Sequence, residues 1–363
     1  MVASSSEATK SREETPKKGL RDWTRPTTHV VLYHGFFMNL LWETLPKPFF
    51  ALAPLANVTD AAFRRVIAKY SKPEGPHLMF TEFVSADGLM RGNREVLLKD
   101  LQFTEGERPI IAQFFTSDPL MMEKAAALAM ELGFDGVDIN MGCPDRSVEK
   151  QGAGAKLILN PERAQELIAA AKRGAPELPI SVKTRLGYNK DILEEWLPEL
   201  LKAEPAAITI HARTRKEMSK VDAHWDRIKR AVEIRNGFRS PTRIIGNGDV
   251  KDLEDAKRKA HEAGAEGVML GRAIFGKPWL FGSLEPSLEA RLAILVEHTK
   301  LFEKILGDVK NFSIMKKHFK AYVEGFEGAK ELRVQLMDAK NAQEVEKILG
   351  AFSSKLQEVP ITV

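Results

Sequence analysis

Cys143, the single cysteine of the chain, stands between Gly142 and Pro144, just ahead of the glycine-rich run "GAGAK" at 152–156. Structural cysteines usually sit in apolar stretches; this one sits in loop chemistry. A nucleophilic thiol needs a depressed pKa, and its neighbours Asp145 and Arg146 pull in opposite directions. An unshifted thiol, with a pKa of about 8.5, stays mostly protonated at neutral pH. The chemistry open to Cys143 is then that of a general acid. The bland alternative is a passive small residue in a loop.

Other polar residues fall at comparable places, each just after a short apolar run. Gln113 follows one such run, and Asn140 follows the run leading to Cys143. Lys183 and Arg185 come next, then His211 and Arg213, then Asn247, Gly248 and Asp249, and finally Gly271 and Arg272. Pro54, Leu55 and Ala56 end the first run. Cations among small glycine turns suit an anionic ligand with a phosphate tail. Free backbone amides in "GNGD" and "LGR" are available for the phosphate, while Lys183 and His211 can reach the polar edge of a ring system. No metal is expected, because one His, one Cys and scattered acids lack ligand spacing. Two decoys fail. "GRAIFGKP" at 271–278 has Pro278 where a phosphate-binding loop needs Ser or Thr, and "GAGAK" lacks the third glycine of a dinucleotide fingerprint.

The elements that must position these residues are legible. Eight β-rich runs recur: 49–56, 77–85, 109–116, 136–142, 179–187, 206–213, 243–250 and 267–276. Most are continuously apolar, as expected for strands buried on both faces. Helical patterns separate them, with start and stop signals at Asp118-Pro119 and Gly133, at Asn160-Pro161, and at Gly264. Only the segment after the second run is weakly helical. Eight strands with crossover helices predict an α/β TIM (β/α)8 barrel, whose active site lies at the C-terminal strand ends. An open doubly wound sheet is the runner-up, but no nucleotide fingerprint follows the first strand.

From about Pro286 the strand signals stop, and a small all-helical C-terminal domain is expected. Met315, Phe319, Tyr322 and Phe326 share one helical face. Lys310, Lys316, Lys317, Lys320, Lys330 and Arg333 form a basic strip fit for phosphate contacts. The expected division is a disordered or extended N-terminal segment at 1–45, a catalytic barrel at 46–285 and a helical domain at 286–363. The lead-in "NLLWETLPKP" suggests no role. Hydrophobic residues make up 44% and charged residues 29%, with a net charge of +4, an ordinary globular balance that tolerates a polyanionic partner. One cysteine fits a reducing compartment. No membrane span or signal peptide is expected, which points to a cytoplasmic protein; a monomer is expected.

Seven motifs, in order, resemble those of the tRNA-dihydrouridine synthases: "APLANVTDAAFRR", "TEFVSADGL", "INMGCPDRSVEKQGAGAKLI", "SVKTRLGY", "IHARTR", "IIGNGDV" and "GVMLGRAIFGKPWLF". The stretch "MKKHFKAYVEGFEGAKELR" is similar to that family's C-terminal RNA-binding domain. The resemblance implies an FMN-dependent barrel that uses NADPH to reduce the C5–C6 double bond of uridine in tRNA. Hydride would reach C6, and Cys143 would protonate C5. It implies FMN contacts at Pro54, Leu55, Ala56, Gln113, Lys183, His211, Asn247, Gly248, Asp249, Gly271 and Arg272. Asn140 and Arg185 would lie near the uracil, and Lys316, Lys317 and Lys320 would contact RNA. After "HARTR" many members carry a tyrosine and a glycine before an Asp–Trp pair; here the run is "KEMSKVDAHW". The alternative function is an FMN-dependent oxidoreductase acting on a free pyrimidine or enone.

Overall fold

Every one of the eight apolar runs forms a strand, and all seven neighbouring pairs in the sheet are parallel. The computed structural model of the protein describes residues 40–92, 94–283 and 285–358. The strands are β1 (Phe49–Leu52), β2 (Met79–Ser85), β3 (Ile110–Phe115), β4 (Gly136–Asn140), β5 (Ile180–Arg185), β6 (Ala207–His211), β7 (Arg243–Asn247) and β8 (Gly267–Leu270). β1 pairs with β8, and the sheet closes on itself through Leu52 N–H to Leu78 O (2.9 Å) and His77 N–H to Phe50 O (2.9 Å). This is a TIM barrel.

The crossover helices start where local chemistry says they should. Asp118 caps the helix Pro119–Glu131 by accepting from Leu120 N, and Asn160 caps Pro161–Gly174 by accepting from Arg163 N. Each cap satisfies an amide that the helix itself cannot. Gly264, at φ 67°, ends the helix Leu253–Ala263 in the left-handed conformation. After β2 the weak helical signal resolves into two short helices, Ala86–Arg91 and Arg94–Asp100.

The period of two along each strand sorts the core. Outward residues join the large cluster under the helices. Inward residues Phe49, Ala51, Phe80, Ile111, Ala207, Ile245 and Met269 form a separate cluster inside the barrel. Trp42 belongs to that inner cluster and is 2% exposed, with its ring 5.9 Å from Phe49. It sits in a helix, Leu40–Thr44, and seals the end of the barrel where the strands begin. That corrects the expectation of a disordered or extended segment through residue 45, whose earlier part lies outside the described residues. The reason is burial: an indole with nowhere else to go orders its own turn.

After β8 the described elements are helical, led by Leu288–Leu306 and followed by Met315–Tyr322, Ala329–Asp338 and Ala342–Glu358. Met315, Phe319 and Tyr322 are buried as one face, while Phe326 lies beyond their helix and packs on Phe352. The helix Leu288–Leu306 docks on the barrel helix Ala61–Ser71. Phe63 stacks on His298 (4.7 Å), and His298 meets His318 edge-on (4.6 Å). Both imidazoles are fully buried. Burial drives both toward the neutral form, with His318 lowered to about 3.

Candidate functional site

The C-terminal ends of the strands surround a cavity of about 740 Å³, within the size range of a cofactor or ligand site. Every residue expected to touch cofactor or substrate lines it: Pro54, Leu55 and Ala56 after β1, Gln113 on β3, and Asn140 and Cys143 from β4. Lys183 and Arg185 on β5, His211 on β6, Asn247, Gly248 and Asp249 from β7, and Gly271 and Arg272 after β8 complete the set. Lys316, Lys317 and Lys320 are elsewhere, on the helix Met315–Tyr322, with Lys317 and Lys320 exposed.

The thiol sits in a loop built by its neighbours. The Asn140 side-chain oxygen accepts from Gly142 N (3.1 Å) and Cys143 N (2.9 Å). The glycine-rich run folds back over this loop, with Ala155 N donating to Cys143 O (2.9 Å). Gly154, at φ 61°, makes that approach possible, because a Cβ there would lie 2.7 Å from Cys143 O. So the run that fails as a nucleotide fingerprint works as the lid of the thiol loop. Burial pushes the Cys143 thiol above its usual range. The Asp145 amide opposes this, the Asp145 charge adds to it, and Arg185 and Lys183 pull it down. The net shift is upward, not the unshifted value expected, so the thiol is protonated at neutral pH.

Arg185 ties two loops together. Its Nε donates to Gly142 O (2.8 Å), and its Nη1 donates to Thr214 O and Met218 O (both 3.1 Å). The loop after β6 is therefore fastened to the thiol loop from below. Arg215 and Glu149 fasten it again at the rim, with Nε to Oε1 at 2.8 Å.

A second group is electrostatic. Lys183 donates to Asn247 Oδ1 (3.2 Å). Burial and the Arg185 charge lower its ammonium to about 8, against the attraction of Asp138 and Cys143. Arg213, with its side chain 2% exposed, donates to His211 Nε2 (3.1 Å) and to Asp249. Since a guanidinium only donates, His211 Nε2 must be the acceptor and its proton rests on Nδ1. Burial, then the surrounding cations, hold His211 neutral, well below the ordinary range. Asp249 bridges Arg213 and Arg272. Burial pushes its carboxyl up, but the Ala223 amide and both guanidiniums outweigh that and keep it low. Gly248 takes φ 126°, a backbone that a side chain would strain.

The donor set fits a flavin mononucleotide. Five cationic side chains (Lys183, Arg185, Arg213, Lys251 and Arg272) line the cavity against one carboxylate, Asp249. That balance calls for an anion. Three amide side chains, Gln113, Asn140 and Asn247, match a ring with polar edges. Among the described residues no group of three metal-ligating side chains converges, and no helix is long and apolar enough to cross a membrane.

The sequence places Arg213 in the ring of strand-end cations but gives it no contact of its own; its position two residues after His211 is the signal for the cluster it forms with His211 and Asp249. Two further residues lie outside the sequence reading. Asp138 stands two residues before Asn140, again on the inward face, and is fully buried. Met218, at φ 58° in the variant loop after β6, lines the mouth. Lys310 moves the other way. It is half-buried against Glu82 (2.6 Å) and Asp100 (2.7 Å) and leaves the basic strip.

Residues 51–357 match the family model of dihydrouridine synthases. A probable tRNA-dihydrouridine synthase of Staphylococcus epidermidis is 39% identical over 87% of this chain and 97% of its own length. A probable tRNA-dihydrouridine synthase 2 of Bacillus subtilis is 40% identical over 86% of this chain and 97% of its own. Among solved structures, the 6-hydroxypseudooxynicotine amine oxidase of Pseudomonas geniculata aligns with a TM-score of 0.50 at 11% identity, covering 86% of this chain and 65% of that one. At that identity the likeness concerns the barrel fold alone.

Proposed function

Because this chain belongs to the dihydrouridine synthase family, we propose that it reduces the C5–C6 double bond of uridine in tRNA to 5,6-dihydrouridine, with FMN as cofactor and NADPH as reductant. The observation that carries the reading is a thiol held protonated at the mouth of a cation-lined cavity.

FMN, when bound, supplies the hydride that the uracil ring accepts at C6. The residues of this chain do the rest. Arg272, with the backbone at Gly248 and Gly271, would hold the phosphate. Gln113, Asn247, Lys183 and His211 would take the polar ring edge. A cationic Lys183 favours negative charge on the reduced ring, and its pKa of about 8 leaves it mostly charged at pH 7. Negative charge developing on C5 and O4 of the uracil is quenched when Cys143 gives its proton to C5. The thiolate then regains a proton from solvent. Asn140 keeps one N–H, and Arg185 its Nη2 group, for the base. The target nucleotide must leave its stack to reach the mouth.

The C-terminal part, residues 286–363, serves to bind RNA, with Lys316, Lys317 and Lys320 toward phosphates. The enzyme acts as a monomer in the cytoplasm. The test is single-turnover reoxidation of reduced flavin by unmodified tRNA. Cys143→Ala should keep FMN and its reduction by NADPH, but slow reoxidation by about 10²–10⁴-fold, the usual worth of a positioned acid. Wild-type reoxidation in that variant would sink the assignment. Reoxidation by free uridine as fast as by tRNA would favour a small-molecule reductase.

A further inference from the structure

We propose that Asp138 is a positioning residue for Cys143, setting the orientation of two side-chain amides in series and through them the loop that carries the thiol. The proposal rests on the reading of Cys143 as proton donor, and it extends that reading to a residue that touches neither cofactor nor substrate.

Asp138 lies on β4 with its side chain inside the barrel, one layer below the cavity, and it is fully buried. The inner core of the barrel is otherwise apolar, including Ile111, Ala207 and Ile245, and burial pushes the Asp138 carboxyl up to about 6, against its Ser181 and Gln113 hydrogen bonds and the Lys183 charge. A carboxylate is an expensive filling for such a place, so its retention calls for a use. Both oxygens are engaged at short distance. Oδ1 accepts from Ser181 Oγ (2.6 Å), and Oδ2 accepts from Gln113 Nε2 (2.6 Å).

At pH 7 and above this carboxyl is mostly ionised, and an ionised carboxylate can only accept. Gln113 must therefore turn its NH2 group toward Asp138, which points its oxygen the other way. That oxygen accepts from Asn140 Nδ2 (3.1 Å). Asn140 in turn must point its oxygen toward the thiol loop, where Gly142 N and Cys143 N donate to it. Backbone amides can only donate, so the far end of the chain demands the same polarity as the near end. Side-chain amides look alike from either side, and their orientation follows from their partners. Here the two ends agree and leave one arrangement. Reversing Gln113 would face its oxygen toward the carboxylate. Reversing Asn140 would face its NH2 toward two N–H groups and push the thiol loop open.

Ser181 offers an internal control. Its bond reaches the other oxygen of Asp138, away from Gln113. Removing it should cost comparable buried hydrogen bonding without reversing either amide.

The single cysteine makes the loop directly measurable. Full-length protein, as purified, would be alkylated with iodoacetamide across pH 6–10, and modification at Cys143 followed by mass spectrometry. Asp138→Asn keeps the shape but can present NH2 to Gln113, so it no longer dictates the chain. We expect its thiol to react about tenfold faster or more at neutral pH, with the profile shifted toward lower pH as the loop opens and the thiol is resolvated. Ser181→Ala should keep the wild-type profile, and Gln113→Leu, which cuts the chain one link on, should reproduce the Asp138→Asn result if the latter folds poorly. A wild-type profile in Asp138→Asn, or an equal change in Ser181→Ala, overturns the proposal. Cys143→Ala reoxidising at the wild-type rate would instead overturn the proton-donor role, whatever the alkylation shows.

Discussion

Replacing Lys310 by Met should destabilise the protein strongly and leave phosphate contacts with RNA unchanged. The Lys310 side chain is 13% exposed and bridges Glu82, 6% exposed, and Asp100, 19% exposed. At an effective dielectric of about 20, one such contact near 2.6 Å is worth about 6 kcal/mol before desolvation is charged against it. Removing one partner of a buried pair typically costs about 3–5 kcal/mol, because the carboxylate left behind is uncompensated. The damage should reach the cavity, since the other Glu82 oxygen accepts from Asn57 N beside the loop Pro54–Ala56. It should also depend on pH. Burial and the Glu82 charge raise Asp60 to about 7, and Lys310 restrains that rise. Without the ammonium, Asp60 takes up a proton more readily, so the deficit should be largest at pH 8 and shrink as pH falls below 7. Urea unfolding at pH 8 and pH 6 measures both, and adding Glu82→Gln to Lys310→Met should recover part of the loss. Salt titration of tRNA binding completes the assay. A variant within about 0.5 kcal/mol of wild type, whose salt slope drops by about one, would make Lys310 a phosphate contact and refute the reasoning.

Changing Lys316, Lys317 and Lys320 together to Glu should weaken tRNA binding and flatten its salt dependence while NADPH oxidation holds; equal loss of both would make the helix a folding element. Lys183→Met should weaken FMN binding or slow its reduction, and in the wild type FMN affinity should decline as pH rises through about 8, where the ammonium discharges; flavin titration from pH 6 to 9.5 checks both. His318, lowered to about 3, stays neutral in the fold while an unfolded imidazole charges near 6.5. Its contribution is complete above 6.5 and is lost as pH falls, by about 2 kcal/mol at pH 5 at 1.36 kcal/mol per unit. His318→Phe should therefore flatten the stability profile between pH 6.5 and 5, and an unchanged slope by urea unfolding would show that the interface tolerates the charge.

The strands, the helix starts and the ring of site residues were legible along the chain. Each rests on information held within a short window: apolar runs of strand length, a Pro after an Asp or Asn, a glycine at a helix end. Because the strand ends of a barrel meet at one mouth, the sequence alone gathers Gln113, Asn140, Cys143, Lys183, His211 and Asn247. What only the tertiary structure decided is which like residues differ. Lys310 and Lys317 read alike in sequence, yet one is paired, half-buried, with Glu82, 228 residues away, and the other faces solvent. Asp138 reads as one more residue of an apolar run, and its partners appear only when Ser181 and Gln113 reach it from the two neighbouring strands, Gln113 in turn meeting Asn140. The thiol's rise above its ordinary range and the sealing of the barrel by Trp42 are of the same kind. Periodicity and caps are local, so a sequence carries them openly; desolvation and the identity of a charge's partner are set by whatever the fold brings near, and no window along the chain contains them.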